Sequence, residues 1–134
     1  MIVADTNLIA SFWVPNNMEQ LAYHSLKKDP EWIAPLLWAS EFRNVLSIYY
    51  RKKILDLPSI FQAIEEAEEL MSTREFSINS KQILTLMSES TCSAYDCEFV
   101  ALASDFDIHL VTFDKKILSE FPAISIHPND FLVS

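Results

Sequence analysis

The stretch LVTFDKKIL, residues 110–118, runs from an apolar, β-branched segment into Asp114 and then into a short helix-like segment. IVAD, residues 2–5, repeats this near the N-terminus: a short apolar strand with an aspartate at its carboxyl end, then a short helix or turn over 6–13, before Pro15. The segments between keep alternating. Met18, Leu21, Ala22 and Leu26 at helical spacing predict a helix over 17–28, stopped by Lys27-Lys28-Asp29-Pro30. WIA (32–34) reads as a strand, 36–52 as a long helix, and Pro58 opens another helix reaching about Met71. Strands over 75–78, 109–112 and 123–126 alternate with helices over 80–88, 94–104 and 115–120. Short apolar strands separated by helices imply an α/β fold, a parallel sheet with helices on both faces. Ligands in such sheets bind beyond the carboxyl ends of the strands, where Asp5 and Asp114 fall.

Composition narrows the class. A chain of 134 residues, half of them hydrophobic, suits one domain (1–134) with a sizeable core. No apolar run reaches the roughly 18 residues of a membrane span. The stretch MIVADTNLIASFWV lacks a basic leader and carries Asp5 within its apolar run, so it does not read as a signal peptide, and the cytoplasm is the expected location. Cys92 and Cys97 are too few for a disulfide scaffold and read as reduced packing residues. His24, His109 and His127 are scattered and make no zinc set with them. The chain contains no glycine, which excludes phosphate-cradling loops and dinucleotide fingerprints. Its 19 acids against 10 bases, a net charge of -9, argue against a broad electrostatic grip on nucleic acid and suit a basic protein partner or bound cations.

Two acids sit on unexpected faces. In LLWASEFRNVLSIYYR (36–51), Ser40, Arg43, Asn44, Ser47 and Arg51 form a polar arc, while Leu37, Trp38, Phe42, Val45, Ile48 and Tyr49 form an apolar one containing Glu41. In YDCEFVALASDF (95–106), the arc of Tyr95, Phe99, Val100, Leu102, Ala103 and Phe106 contains Asp96, whereas Glu98 and Asp105 fall on the other side, as solvated acids should. Glu65, Glu66, Glu68 and Glu69 oppose Ile60, Ile64 and Leu70 as a solvated face, and Tyr49, Tyr50, Phe61 and Phe99 sit at core-like spacings.

Burying a lone carboxylate costs several kcal/mol, roughly, unless it is paired, hydrogen-bonded or metal-bound. The bases Lys27-Lys28, Arg51-Lys52-Lys53 and Lys115-Lys116 occupy surface-like places. Asp5, Glu41, Asp96 and Asp114 together would therefore call for a hard divalent ion, Mg²⁺ or Mn²⁺. Plainer readings stand beside this. Asp5 and Asp114 each suit a helix N-cap, Ser93-x-x-Asp96 suits a capping box, and Glu41 could pair with Arg43 or a distant base.

VADTNLI (3–9), ASEFRNVL (39–46), SAYDCEFVALAS (93–104), LVTFDKKIL (110–118) and HPNDFL (127–132) occur in one order over nearly the whole chain. In these the chain resembles PIN domains, and within them the VapC-like ribonuclease toxins of type II toxin–antitoxin modules. The resemblance implies a three-layer α/β/α sandwich on a parallel sheet of about five strands. It also implies Mg²⁺-dependent endoribonuclease activity, with Mn²⁺ able to substitute. Asp5, Glu41, Asp96 and Asp114 match the acidic site, as catalytic and metal-binding residues for a metal-activated water. Thr6 and Asn7, beside the first acid, and Thr112, before the last, match supporting positions. Arg43, Lys115 and Lys116 are the local bases expected near RNA. The family also implies an antitoxin with a basic segment reaching the acids, and a homodimer. Two other classes remain at this point. One is a phospho-acceptor regulatory domain built on Asp5, Asp114, Thr112 and Lys115, which leaves Glu41 and Asp96 unexplained. The other is a catalytically silent PIN-like binding module.

Overall fold

Ile2, Val3 and Ala4 form β1, and all three are buried, as a central parallel strand covered on both faces requires. The structure is a computed structural model describing residues 1–134. Along the chain follow α1 (Thr6–Ala10), α2 (Glu19–Lys28), β2 (Trp32–Pro35), α3 (Leu37–Arg51), α4 (Leu57–Met71), β3 (Glu75–Phe76), α5 (Ser80–Ser88), α6 (Ala94–Phe106), β4 (Leu110–Val111), α7 (Lys115–Glu120), β5 (Ser125–Ile126) and α8 (Pro128–Val133).

The five strands are all parallel, in the order β3-β2-β1-β4-β5. From β1 the chain steps outward to β2 and β3, then returns past β1 to β4 and β5. Parallel crossovers are right-handed, so α1 to α4 lie on one face and α5 to α7 on the other. This is the expected three-layer α/β/α sandwich. The direction of winding reverses between β1 and β4, which pair through Val3 with Leu110 and Ala4 with Val111. The crevice for a ligand therefore opens beyond the carboxyl ends of these two strands.

Local chemistry explains the helix starts. Asp56 caps α4 by accepting from Ser59 N at 2.9 Å, with Pro58 in the first turn, and Asn79 caps α5 by accepting from Gln82 N at 3.1 Å. Without glycine, the left-handed positions fall to Asn17, Lys53, Thr73 and Asp107, the last closing α6. Both cysteines are free and buried, as packing residues are. No helix is long and apolar enough to cross a membrane.

Four expectations change. First, α8 was not anticipated; His127 caps it, Pro128 starts it, and Lys28 Nζ ties its end to α2 by donating to the Phe131 carbonyl at 2.5 Å. Second, the apolar arc of α3 is divided. Trp38 and Phe42 enter the core, joined by Leu46 from outside that arc, whereas Ile48 is 43% exposed and Leu37, Glu41 and Val45 line an open cavity. Third, Tyr50 and Phe61 are not core residues: they stand exposed along an apolar groove between α3 and α4. Fourth, α6 is buried from Cys97 and Phe99 to Ala103, because it lies between the sheet and α5. Its ends emerge, so Tyr95 and Phe106 are exposed, and Glu98 is half-buried rather than solvated. The acids of α4 are exposed as expected, opposite buried Ala63, Ala67 and Met71.

Candidate acidic site at the sheet switch point

Asp5 leaves β1 at its carboxyl end, held by both neighbours. Its backbone N–H donates to the Val111 carbonyl of β4 at 3.1 Å. Its carboxylate accepts from Thr6 N at 2.8 Å and from Thr112 Oγ1 at 2.6 Å. Thr112 is fully buried, and its Oγ1 also accepts from Asp114 N at 2.9 Å, so one hydroxyl links both strand-end acids. Thr6 does the same on the other side: its Oγ1 donates to Glu41 Oε1 at 2.7 Å while its N–H holds Asp5. The supporting places given to Thr6 and Thr112 thus correspond to direct hydrogen bonds.

The four acids come from four separate segments and line one cavity of about 500 Å³. Asn7, Ser40, Asn44 and Tyr95 complete its polar wall, and no Lys, Arg or His lines it. Ser40, Asn44 and Tyr95 were not anticipated. Ser40 and Asn44 belong to the polar arc of α3, and the cavity spans the border between that arc and the face carrying Glu41, which the helical period alone does not reveal. Tyr95 gave no signal, since its spacing is that of a core residue.

The plainer readings hold as well. Asp5 caps α1, Asp114 caps α7 by accepting from Ile117 N at 2.9 Å, and Ser93 caps α6 by accepting from Asp96 N at 3.1 Å. A cap consumes one lone pair, and a carboxylate retains others that face the cavity. The pairing of Glu41 with Arg43 is not found. Arg43 turns to Ser40 Oγ at 3.1 Å and lines the α3–α4 groove, and the single ion pair of the chain joins the N-terminal amine to Asp29.

Electrostatics follow from this crowding. Burial pushes the Asp5 carboxyl up to about 7, aided by the charges of Glu41 and Asp96, although the Thr112 and Thr6 hydrogen bonds pull it back. Burial also raises Glu41, opposed by Thr6 and aided by Asp96 and Glu98. Asp96 is raised by burial and then by Asp114, with Ser93 and Lys116 acting against the rise. Lys116 is thus near enough to be felt at Asp96, yet Lys115 and Lys116 are exposed on α7 and neither lines the cavity. The four acids share this cavity, although no three His, Cys, Asp or Glu side chains are grouped closely enough to form a ready metal-ligand set. The carboxylates of Asp5, Glu41 and Asp114 are each held by a hydrogen-bond donor of their own surroundings, namely Thr6 and Thr112, Thr6, and the Ile117 N–H.

No family model matches the chain. Ribonuclease VapC3 of Pyrobaculum aerophilum is 25% identical over 126 residues, covering 92% of this chain and 96% of that protein. Among solved structures, PAE2754 from Pyrobaculum aerophilum superposes with a TM-score of 0.77 at 16% identity, over 98% of this chain and 93% of that one. A toxin–antitoxin complex from Klebsiella pneumoniae gives 0.68 at 16% identity, over 96% and 98%. The likeness to VapC-like PIN domains read from the sequence is borne out, over 92% of the chain in sequence and 96–98% in fold.

Proposed function

We propose that this chain, PIN-like in fold and similar throughout to a VapC ribonuclease, is a Mg²⁺-dependent endoribonuclease and the toxin of a toxin–antitoxin pair. The observation carrying this reading is one cavity lined by Asp5, Glu41, Asp96 and Asp114 with no base among its walls. A cavity whose charged groups are all carboxylates suits a hard cation. Mg²⁺ keeps several of its waters and needs only one or two direct carboxylates, so a cavity of spaced acids suits it better than a closed cage would. Mn²⁺ would bind similarly. Asp5 and Glu41, joined through Thr6, and Asp96 and Asp114 would hold the ion.

When bound, the metal lowers the pKa of its water and neutralises charge on the phosphate oxygens. The chain supplies the remainder. Thr112 fixes the Asp5 carboxylate against rotation and orients the Asp114 backbone. Thr6 keeps Asp5 and Glu41 on one wall. Asn7 and Tyr95, both exposed, border the opening through which an RNA strand would enter. Arg43, Lys115 and Lys116 lie outside the cavity, where they would meet phosphates farther along the strand.

The same geometry suits an antitoxin with a basic segment. An anionic pocket without a resident base would accept an Arg or Lys side chain from the partner, blocking substrate and metal together. A homodimer would cover exposed apolar residues such as Tyr50 and Phe61. A phospho-acceptor role fits poorly, because it leaves Glu41 and Asp96, which line the same cavity, without a part.

The test is cleavage of single-stranded RNA in Mg²⁺ by the wild type and by Asp5→Asn, Glu41→Gln, Asp96→Asn and Asp114→Asn. Each variant should lose more than the roughly 10–100-fold that losing a supporting contact costs. Cleavage that persists in Glu41→Gln and Asp96→Asn, or in excess EDTA, would refute the assignment.

A further inference from the structure

A second cavity, of about 380 Å³, adjoins the acidic one and shares Asn7 and Val45 with it. Its character differs. No charged residue lines it; Val14, Ile48, Tyr49 and Phe113 supply apolar wall, and Asn7 and Asn16 are its amides. Asn16 is committed to the fold, accepting from Met18 N at 3.0 Å and donating to Ser11 Oγ at 3.2 Å. The Asn7 carboxamide, exposed at the junction of the two cavities, makes no hydrogen bond within the chain. The Tyr49 hydroxyl also lacks a partner, although its ring is half-buried. Phe113 is half-buried, and His127 packs against it at 78° with ring centroids 5.5 Å apart, which holds its plane.

We propose that this cavity is a nucleobase subsite, taking the base of a nucleotide that flanks the phosphate cleaved in the acidic cavity. The inference rests on the ribonuclease reading and extends it to substrate selection. A single strand held at its phosphate can turn a neighbouring base out of the stack, and such bases are recognised by aromatic rings and by hydrogen bonds to their edges. Phe113 and Tyr49 offer the rings. Asn7 offers a donor and an acceptor side by side, the arrangement that matches two adjacent groups on a base edge. The absence of charge from the walls suits a neutral heterocycle and not the phosphate itself. Contiguity with the acidic cavity makes the occupant part of the same ligand.

The experiment uses a single-stranded RNA oligonucleotide that the wild type cuts, with each nucleotide in turn replaced by an abasic one. Loss of one stacked base corresponds to a fall of about 5- to 150-fold in kcat/KM, confined to one position beside the cut. Phe113→Leu keeps the apolar volume and removes the ring. It should show a similar fall on intact RNA and no longer distinguish intact from abasic RNA. Tyr49→Phe, which removes only a hydroxyl, should retain most of the discrimination. A 2-aminopurine at the sensitive position should be quenched on binding to the wild type and remain brighter with Phe113→Leu, a reading independent of turnover. Equal discrimination by wild type and Phe113→Leu would overturn the subsite and leave the cavity to a partner protein's side chain. Cleavage without dependence on any base would also overturn it while leaving the ribonuclease reading intact, whereas absence of cleavage by the wild type would defeat both.

Discussion

Replacing Asp5 with Asn tests whether the charge of the cavity is held at the expense of the fold. The Asp5 carboxyl is raised from 3.8 to about 7 in the native state, chiefly by burial. The native state therefore binds this proton more tightly than the unfolded chain does. Between about pH 4 and pH 7 the native state carries more protons, so its stability falls as pH rises, and above pH 7 the whole penalty is present. A shift of about three units corresponds to about 4 kcal/mol. Asparagine removes the charge. Its single carbonyl oxygen can still accept from Thr6 N, and its NH₂ can donate to Thr112 Oγ1, with the loss of about one hydrogen bond, or about 1 kcal/mol. Asp5→Asn should thus be more stable than wild type by about 2–3 kcal/mol at pH 8, a large part of a typical stability of about 5–15 kcal/mol. The advantage should vanish as pH falls toward 4. Urea denaturation in EDTA, followed by circular dichroism from pH 4 to pH 8.5, measures the difference. A variant no more stable than wild type at pH 8, or an advantage independent of pH, would refute the reasoning.

Added Mg²⁺ should restore to the wild type what the mutation supplies, by about 2.7 kcal/mol at a concentration 100 times the dissociation constant. Melting with and without the ion checks this, and Asp5→Asn should respond less. Thr112→Val removes a buried hydroxyl that donates to Asp5 and accepts from Asp114 N, so it should cost about 1–3 kcal/mol and lower RNA cleavage, with Thr112→Ser recovering both. Thr73 is β-branched at φ 65° on the surface, and Thr73→Gly should leave the unfolding free energy from urea denaturation unchanged or raised, by up to about 1 kcal/mol, since strain relief offsets the added chain entropy.

Much of this molecule is legible in its sequence because local physics decides it. The strands at IVA, WIA and LV are apolar on every residue, as strands covered on both faces must be, and the alternation with helices leaves a parallel α/β sheet as the natural assembly. Pro58, Asp56 and Ser93 mark helix starts through donors that only a side chain or a missing N–H can reconcile. The acids were conspicuous for a similar reason: Glu41 and Asp96 break the helical period of their segments, and a period can be read without knowing its neighbours. What spacing alone cannot supply is direction relative to other elements. On α3 both Phe42 and Val45 lie within the apolar arc, yet one enters the core and the other faces a cavity, because the sheet covers only part of that arc. Tyr95 reads as core and emerges as a wall of the site, because α6 outruns the elements that bury its middle. The reversal of winding between β1 and β4 brings residues 5 and 112 within one hydrogen bond and places four distant acids around a single space. That proximity is a property of the sheet order, and so are the raised Asp5 carboxyl and the uncharged cavity beside it.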